Sequence, residues 1–169
     1  MYDRKTGQVR RMESSDLECV LEWRNHPDVR RYMFTQHEIS LIEHTKWFQA
    51  TSCDAQRYLL VFEINKKPLG FINIALAKSG GIADWGFYLS PTAPKGTGQE
   101  LGRATLRYAF QTAGLHKLCG QALAFNQRSI VFHLRLGFTQ EGILRHQHFD
   151  GRHYHDVVCF GLLNSEWQA

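Results

Sequence analysis

Three groups of residues in this chain have types and spacings that can do chemistry. The first is Lys95-Gly96-Thr97-Gly98, set between an apolar run and an amphipathic one. Glycines there let the backbone approach a ligand closely, and free N–H groups at a helix start attract an anion. Lys95 adds positive charge. No Gly-Lys-Ser/Thr closes the segment as a P-loop would, and no third glycine stands where a dinucleotide fingerprint needs one. A flexible connection with a helix cap fits the same four residues. The second group runs Leu21-Glu22-Trp23-Arg24-Asn25-His26-Pro27-Asp28-Val29-Arg30, then Glu43-His44 and Trp47-Phe48. Trp and Arg so close together suit stacking on a base or sugar and pairing with phosphates, although Trp47 and Phe48 equally suit packing of two helices. The third is His146, His148, His153 and His155, flanking Asp150-Gly151. A two-residue hairpin there pairs 148 with 153 and 146 with 155, placing four imidazoles on one face. That face could hold a transition metal, but a polar surface is the plainer reading and no metal is expected. Tyr154 would point to the opposite face, toward an acceptor pocket.

The elements that must position these groups are legible in turn. Val9 to Met12 reads as a strand, and Ser14-Ser15-Asp16 offers N-cap chemistry for a helix that Pro27 interrupts. Ser40 can cap a second helix carrying Ile42, His44, Trp47 and Phe48. Tyr58 to Ile64 and Leu69 to Ala75, joined by Asn65-Lys66-Lys67-Pro68, form a hairpin signal, and Ile82 to Leu89 a further strand. After the glycine loop come a helix from Gln99 to Ala113, a strand from Lys117 to Ala124, and a helix from Asn126 to Leu136-Gly137. Two long strands follow from Phe138. Strand, two helices, three strands, helix, strand, helix, two strands is a mixed α/β (α+β) pattern with a mainly antiparallel sheet.

The chain has 169 residues, a length that fits one domain spanning 1–169, and 43% hydrophobic with 21% charged residues excludes a disordered chain. No apolar run reaches the roughly 18 residues of a membrane span. Met1-Tyr2-Asp3-Arg4-Lys5 lacks the apolar core of a signal peptide, and Cys19, Cys53, Cys119 and Cys159 show no CxxC spacing. A cytoplasmic protein with reduced thiols is the expectation. A formal charge of +4 suits a phosphorylated small molecule and is too dispersed for nucleic acid.

Some thirty residues after the glycine loop, Asn126, Ser129, His133, Gly137 and Phe138 complete a second pattern. Together the two resemble the GNAT superfamily of acetyl-CoA-dependent N-acetyltransferases. Its pyrophosphate loop reads Arg/Gln-x-x-Gly-x-Gly/Ala, matched here by Gly96 and Gly98 with Ala93 in the first position. Its second signature carries Tyr where this chain has His133. The resemblance implies a seven-stranded sheet flanked by about four helices, with strands four and five splayed around acetyl-CoA. Leu89 would hold the pantetheine, Lys95, Gly96, Thr97, Gly98 and Gln99 the pyrophosphate, and Asn126 and Ser129 the same cofactor. Arg103, Arg128 and Arg135 become candidates for the adenosine phosphates.

Direct attack of an amine on the thioester needs a base, an oxyanion donor and an acid for the thiolate. By the resemblance His133, as an imidazolium, would be the acid, and Asp84 or a water relayed by Gln121 the base. Trp23-Arg24-Asn25, Glu43-His44-x-x-Trp47-Phe48, Trp85-Gly86-Phe87-Tyr88 and Gly161-Leu162-Leu163-x-x-Glu166-Trp167 resemble the PseH subgroup. These enzymes acetylate the 4-amino group of UDP-4-amino-4,6-dideoxy-N-acetyl-β-L-altrosamine on the way to pseudaminic acid and flagellin glycosylation. Arg24, Asn25, Arg30, His44, Trp47 and Tyr154 would then meet the UDP-amino sugar. A RimJ/RimL-like protein N-terminal enzyme, a polyamine acetyltransferase and a non-catalytic acyl-CoA-binding domain are the alternatives. Trp167 on the last strand could serve a homodimer.

Overall fold

Central strands whose residues are apolar on both sides need a cover on both faces. In the computed structural model, which describes residues 7–78 and 80–168, that cover is built from both halves of the chain. The opening Met1-Tyr2-Asp3-Arg4-Lys5 lies outside the described residues. The strands are β1 (Gln8–Arg11), β2 (Arg57–Ile64), β3 (Lys67–Leu76), β4 (Ile82–Leu89), β5 (Lys117–Leu123), β6 (Thr139–Phe149) and β7 (Tyr154–Leu163). They form one sheet in the order β1-β2-β3-β4-β5-β7-β6. Every neighbouring pair is antiparallel except β4 and β5. These two run parallel and pair only from Ile82–Asp84 to Lys117–Cys119, after which they part into a fork.

Strand alternation sorts the core. Leu60, Phe62, Ile72, Ile74 and Trp85 face α4 (Thr97–Arg107) and α5 (Gln127–Arg135), whereas Leu59, Val61 and Phe71 face α1 (Leu17–Asn25) and α3 (Leu41–Ser52). A short helix, α2 (Pro27–Arg30), joins the latter pair. Pro27 supplies no amide, so α1 stops at Asn25 and Pro27 opens α2. Ser40 caps α3 as expected, its Oγ accepting from the Glu43 N–H.

Three local expectations are corrected. Asp16 does not cap α1; Ser14–Asp16 form a 3-10 turn, and Asp16 accepts the Glu13 N–H and pairs with Arg10 at 2.7 Å. The β2–β3 turn is two residues, Asn65-Lys66, both at positive φ, so Lys67 and Pro68 already belong to β3. Helix α4 starts at Thr97 rather than Gln99 and ends in a π-helical turn, Tyr108–Thr112. Trp167 is half-buried and packs onto Phe110 at 5.4 Å.

The last hairpin departs furthest. Asp150 Oδ1 accepts from the Arg152 and His153 N–H groups, closing a four-residue connection instead of a two-residue one. A bulge between Leu144 and His148, with His146 at φ +52°, shifts the register so that His148 pairs with His155 and Tyr154 with Phe149. The four imidazoles are not presented as one face. Among the described residues, no group of three or more His, Cys, Asp or Glu side chains converges to hold a metal. Asp150 instead hydrogen-bonds the His155 ring, which with the two N–H groups holds its carboxyl well below the usual range.

Candidate active site at the fork

The glycine loop leads into α4 on one side of the sheet, and Asp84 lies at the fork on the other. Gly96 sits at φ +95° as the residue before α4, a conformation that L side chains rarely adopt. Thr97 Oγ1 donates to Pro94 O at 2.7 Å, and the Gln99 and Glu100 N–H groups turn back onto Gly96 O. The main-chain amides of Lys95, Gly96 and Gly98 donate to no main-chain carbonyl among the described residues. A pyrophosphate fits that cradle, and Leu89 lies beside it, against Gly98. Helices α4 and α5 touch closely because Gly102 has no side chain, since a Cβ there would stand 2.5 Å from Leu136. Asn126 caps α5 by accepting the Ser129 N–H, and Ser129 O in turn meets the His133 ring. Arg103, Arg128 and Arg135 are exposed.

His133 is 1% exposed. It stacks on Phe160 at 4.7 Å and meets Trp85, Phe87, Phe132 and Phe138. Burial pushes its pKa below the ordinary value, so the resting ring is neutral. With Nδ1–H given to Ser129 O at 2.8 Å, Nε2 carries a lone pair and has no partner. The acid role expected at this position needs an imidazolium, and burial disfavours that charged form. Nε2 and the equally unpartnered Trp85 Nε1 both lie against Gly120 on β5.

On the opposite face, Asp84 pairs with Cys119 at the crotch of the fork. Gln121 lies two residues further along β5 on the same face. The structure thus brings both proposed base candidates to one side, on the two arms, and both are exposed. The acceptor candidates divide. Asn25 clamps the Ile39 backbone at both N–H and C=O, and Trp47 stacks on His44 at 5.1 Å and packs edge-on to Phe71. These two shape the layer. Arg24 is 9% exposed, donates Nη2 to Thr35 O at 2.6 Å, and leaves Nη1 without a partner. Among the described residues it forms no ion pair, and burial pushes its pKa down. Arg30 meets Glu38 at 3.6 Å. His44 is also buried with Nε2 unpaired, and burial lowers its pKa. Tyr154 is far more exposed, on the hairpin against Phe149 and His146 rather than with these residues.

Asn73 escaped the sequence reading. Its Oδ1 is buried without a partner on the Arg24 and His44 face, and the visible signal was a single amide inside the apolar run Leu69–Ala75. Tyr88 lies on the same face against Phe71, where burial raises its phenol pKa.

A mixed sheet forked between its parallel strands, with an amide cradle at the following helix, defines an acyl-CoA-handling fold. A family model for the acetyltransferase (GNAT) domain matches residues 8–139. The acetyltransferase PseH of Campylobacter jejuni is 30% identical over 132 residues, covering 76% of this chain and 80% of that protein. Spermidine N(1)-acetyltransferase of Escherichia coli is 23% identical over 164 residues, covering 96% and 88%. Among solved structures, spermidine N-acetyltransferase from Vibrio cholerae in complex with CoA and spermine superposes with a TM-score of 0.87. That match has 23% identity and covers 95% of this chain and 97% of that one. The chain belongs to the GNAT acetyltransferase family, and it is an N-acetyltransferase. No helix among the described residues is long and apolar enough to cross a membrane.

Proposed function

We propose that the acceptor is a UDP-linked amino sugar, UDP-4-amino-4,6-dideoxy-N-acetyl-β-L-altrosamine, acetylated on its 4-amino group with acetyl-CoA as donor. The observation that carries this reading is the guanidinium of Arg24, buried with Nη1 free and no carboxylate paired to it. A buried cation without a counter-ion suits a pyrophosphate and repels a polyamine. Arg30 is the weaker second candidate, since Glu38 already meets it at 3.6 Å. The 30% identity to PseH supports the same choice and brings pseudaminic acid synthesis and flagellin glycosylation with it.

Acetyl-CoA supplies an activated acetyl thioester. The chain's own residues do the rest. The Lys95–Gln99 segment binds the pyrophosphate through its amides and the Lys95 charge; Leu89 ends one arm of the fork, and Asn126 and Ser129 follow the other. The amine must be neutral to attack, and Asp84, or a water held by Gln121, takes its proton on the acceptor face. The departing CoA thiolate takes up one proton, which balances the one lost by the amine, and His133, 1% exposed across the sheet, stands outside that transfer. The setting is the cytoplasm, where nucleotide sugars are made.

A polyamine acceptor is favoured by one feature, a groove lined by Glu18, Glu22 and Glu38. Glu18, Leu21, Glu22 and Asn25 share the outer stripe of α1, whereas Val20, Trp23 and Arg24 share the inner one. The acidic groove therefore faces away from the fork. Purified protein is mixed with acetyl-CoA and either the UDP-amino sugar or spermidine, and free thiol is followed. Thiol release and a gain of one acetyl group with the sugar alone support the proposal; release with spermidine alone overturns it.

A further inference from the structure

The unpartnered buried polar atoms of the described residues fall into three places. Trp85 Nε1 and His133 Nε2 lie on the α4–α5 face, His148 Nε2 on the last hairpin, and Arg24 Nη1, His44 Nε2 and Asn73 Oδ1 on the α1–α3 face. A folded protein leaves few such atoms unpaired, and each asks for a partner that arrives later. Arg24 and His44 are already accounted for by the acceptor reading. Asn73 is not.

Its position follows from register. Leu59 of β2, Asn73 of β3 and Gly86 of β4 form one row across the sheet. The next row holds Val61, Phe71 and Tyr88 under α1 and α3, and the row on the other side holds Ala75 and Asp84, at the crotch of the fork. Asn73 thus stands between the aromatic floor beneath Arg24 and the candidate base. Gly86 opposite it carries no side chain, and a Cβ built there meets nothing within 4 Å. The carboxamide oxygen is covered and touches no donor, while the residue as a whole is half-buried beside the open space over Gly86.

We infer that Asn73 is the residue that orients the acceptor amine, its Oδ1 accepting an N–H of that amine across Gly86. This deepens the amino-sugar reading and rests on it. A neutral carboxamide is the suitable partner, because it accepts from an uncharged NH2 without favouring the ammonium form, as a carboxylate would. The three atoms also define a ligand by polarity. Arg24 Nη1 donates to an anion, while neutral His44 Nε2 and Asn73 Oδ1 accept from hydroxyl or amine groups. A phosphorylated amino sugar offers both kinds at once, and a polycation offers only donors.

The test measures binding of UDP and of the UDP-amino sugar by calorimetry to wild type, Asn73→Ala and Asn73→Asp, with CoA binding confirming an intact fork. Asn73→Ala should weaken the amino sugar about tenfold and leave UDP unchanged. Asn73→Asp should bind the sugar as an ammonium, with its pH profile of kcat/KM moved upward while the CoA affinity holds. Equal sugar affinity in Asn73→Ala and wild type, or an unmoved profile in Asn73→Asp, overturns the role of Asn73 and leaves the acceptor assignment standing. If wild type binds CoA but neither UDP nor the sugar, the acceptor assignment falls and this role with it.

Discussion

The two faces of the sheet beside the fork hold their titratable side chains in opposite ways. On the α4–α5 face His133 is boxed by five aromatic rings, gives its one proton to Ser129 O, and meets no charged group. On the α1–α3 face Arg24 keeps its charge under cover with Nη1 unused. The first arrangement is a core that tolerates one polar ring. The second is a core held at a cost, because burying a guanidinium without a paired counter-ion is unfavourable and Glu43 offsets it only from a distance. Under the proposed reading, stability and ligand recognition fall to different faces of the same strands.

The largest effect that would break this contrast is on the aromatic side. Phe160→Ala empties the wall on which His133 stacks and should cost about 3–5 kcal/mol, read as a fall in the urea midpoint. A loss below about 1 kcal/mol would show that the box is not a packed core. Gly120→Ala comes next, since its methyl would stand 2.5 Å from His133 Nε2. Overpacking of that kind costs about 1–3 kcal/mol, and a crystal structure would show the ring displaced.

Arg24→Met sharpens the other side, because it should separate the two properties. Removal of a desolvated charge leaves thermal stability equal or higher, while UDP affinity falls more than about tenfold. A matched loss of both would mean that Arg24 is structural.

Acid titration gives a smaller, signed effect. Burial lowers the pKa of His133 and of His44, so the unfolded chain binds protons that the folded one does not. Both contributions are complete above the ordinary histidine value near 6.5 and are lost as pH falls through it toward the lowered folded values. His133→Phe should flatten that part of the pH–stability curve relative to wild type. Least of all, Ser40→Ala removes the α3 cap and should cost about 1 kcal/mol without changing CoA binding.

Much of the fold was legible because its signals are local. Pro27 stopping α1, Ser40 opening α3 and Asn126 opening α5 all rest on contacts within a few residues. The pattern of Gly96, Gly98, Asn126, Gly137 and Phe138 pointed to the acetyltransferase family for the same reason. The final hairpin was misread because its register depends on a bulge and on Asp150 gathering two N–H groups, neither of which strand alternation reveals.

What the sequence determined by itself is the order of elements, the anion cradle and the chemical types available at the fork. Tertiary structure alone decided the state of those types. It made His133 a neutral acceptor, turned Asn25 and Trp47 to structural duty, left Arg24 unpaired, and brought Asn73 beside Gly86. The physical reason is that capping and turn chemistry are settled by neighbours along the chain. Protonation, pairing and exposure are instead settled by which distant strands and helices close over a side chain.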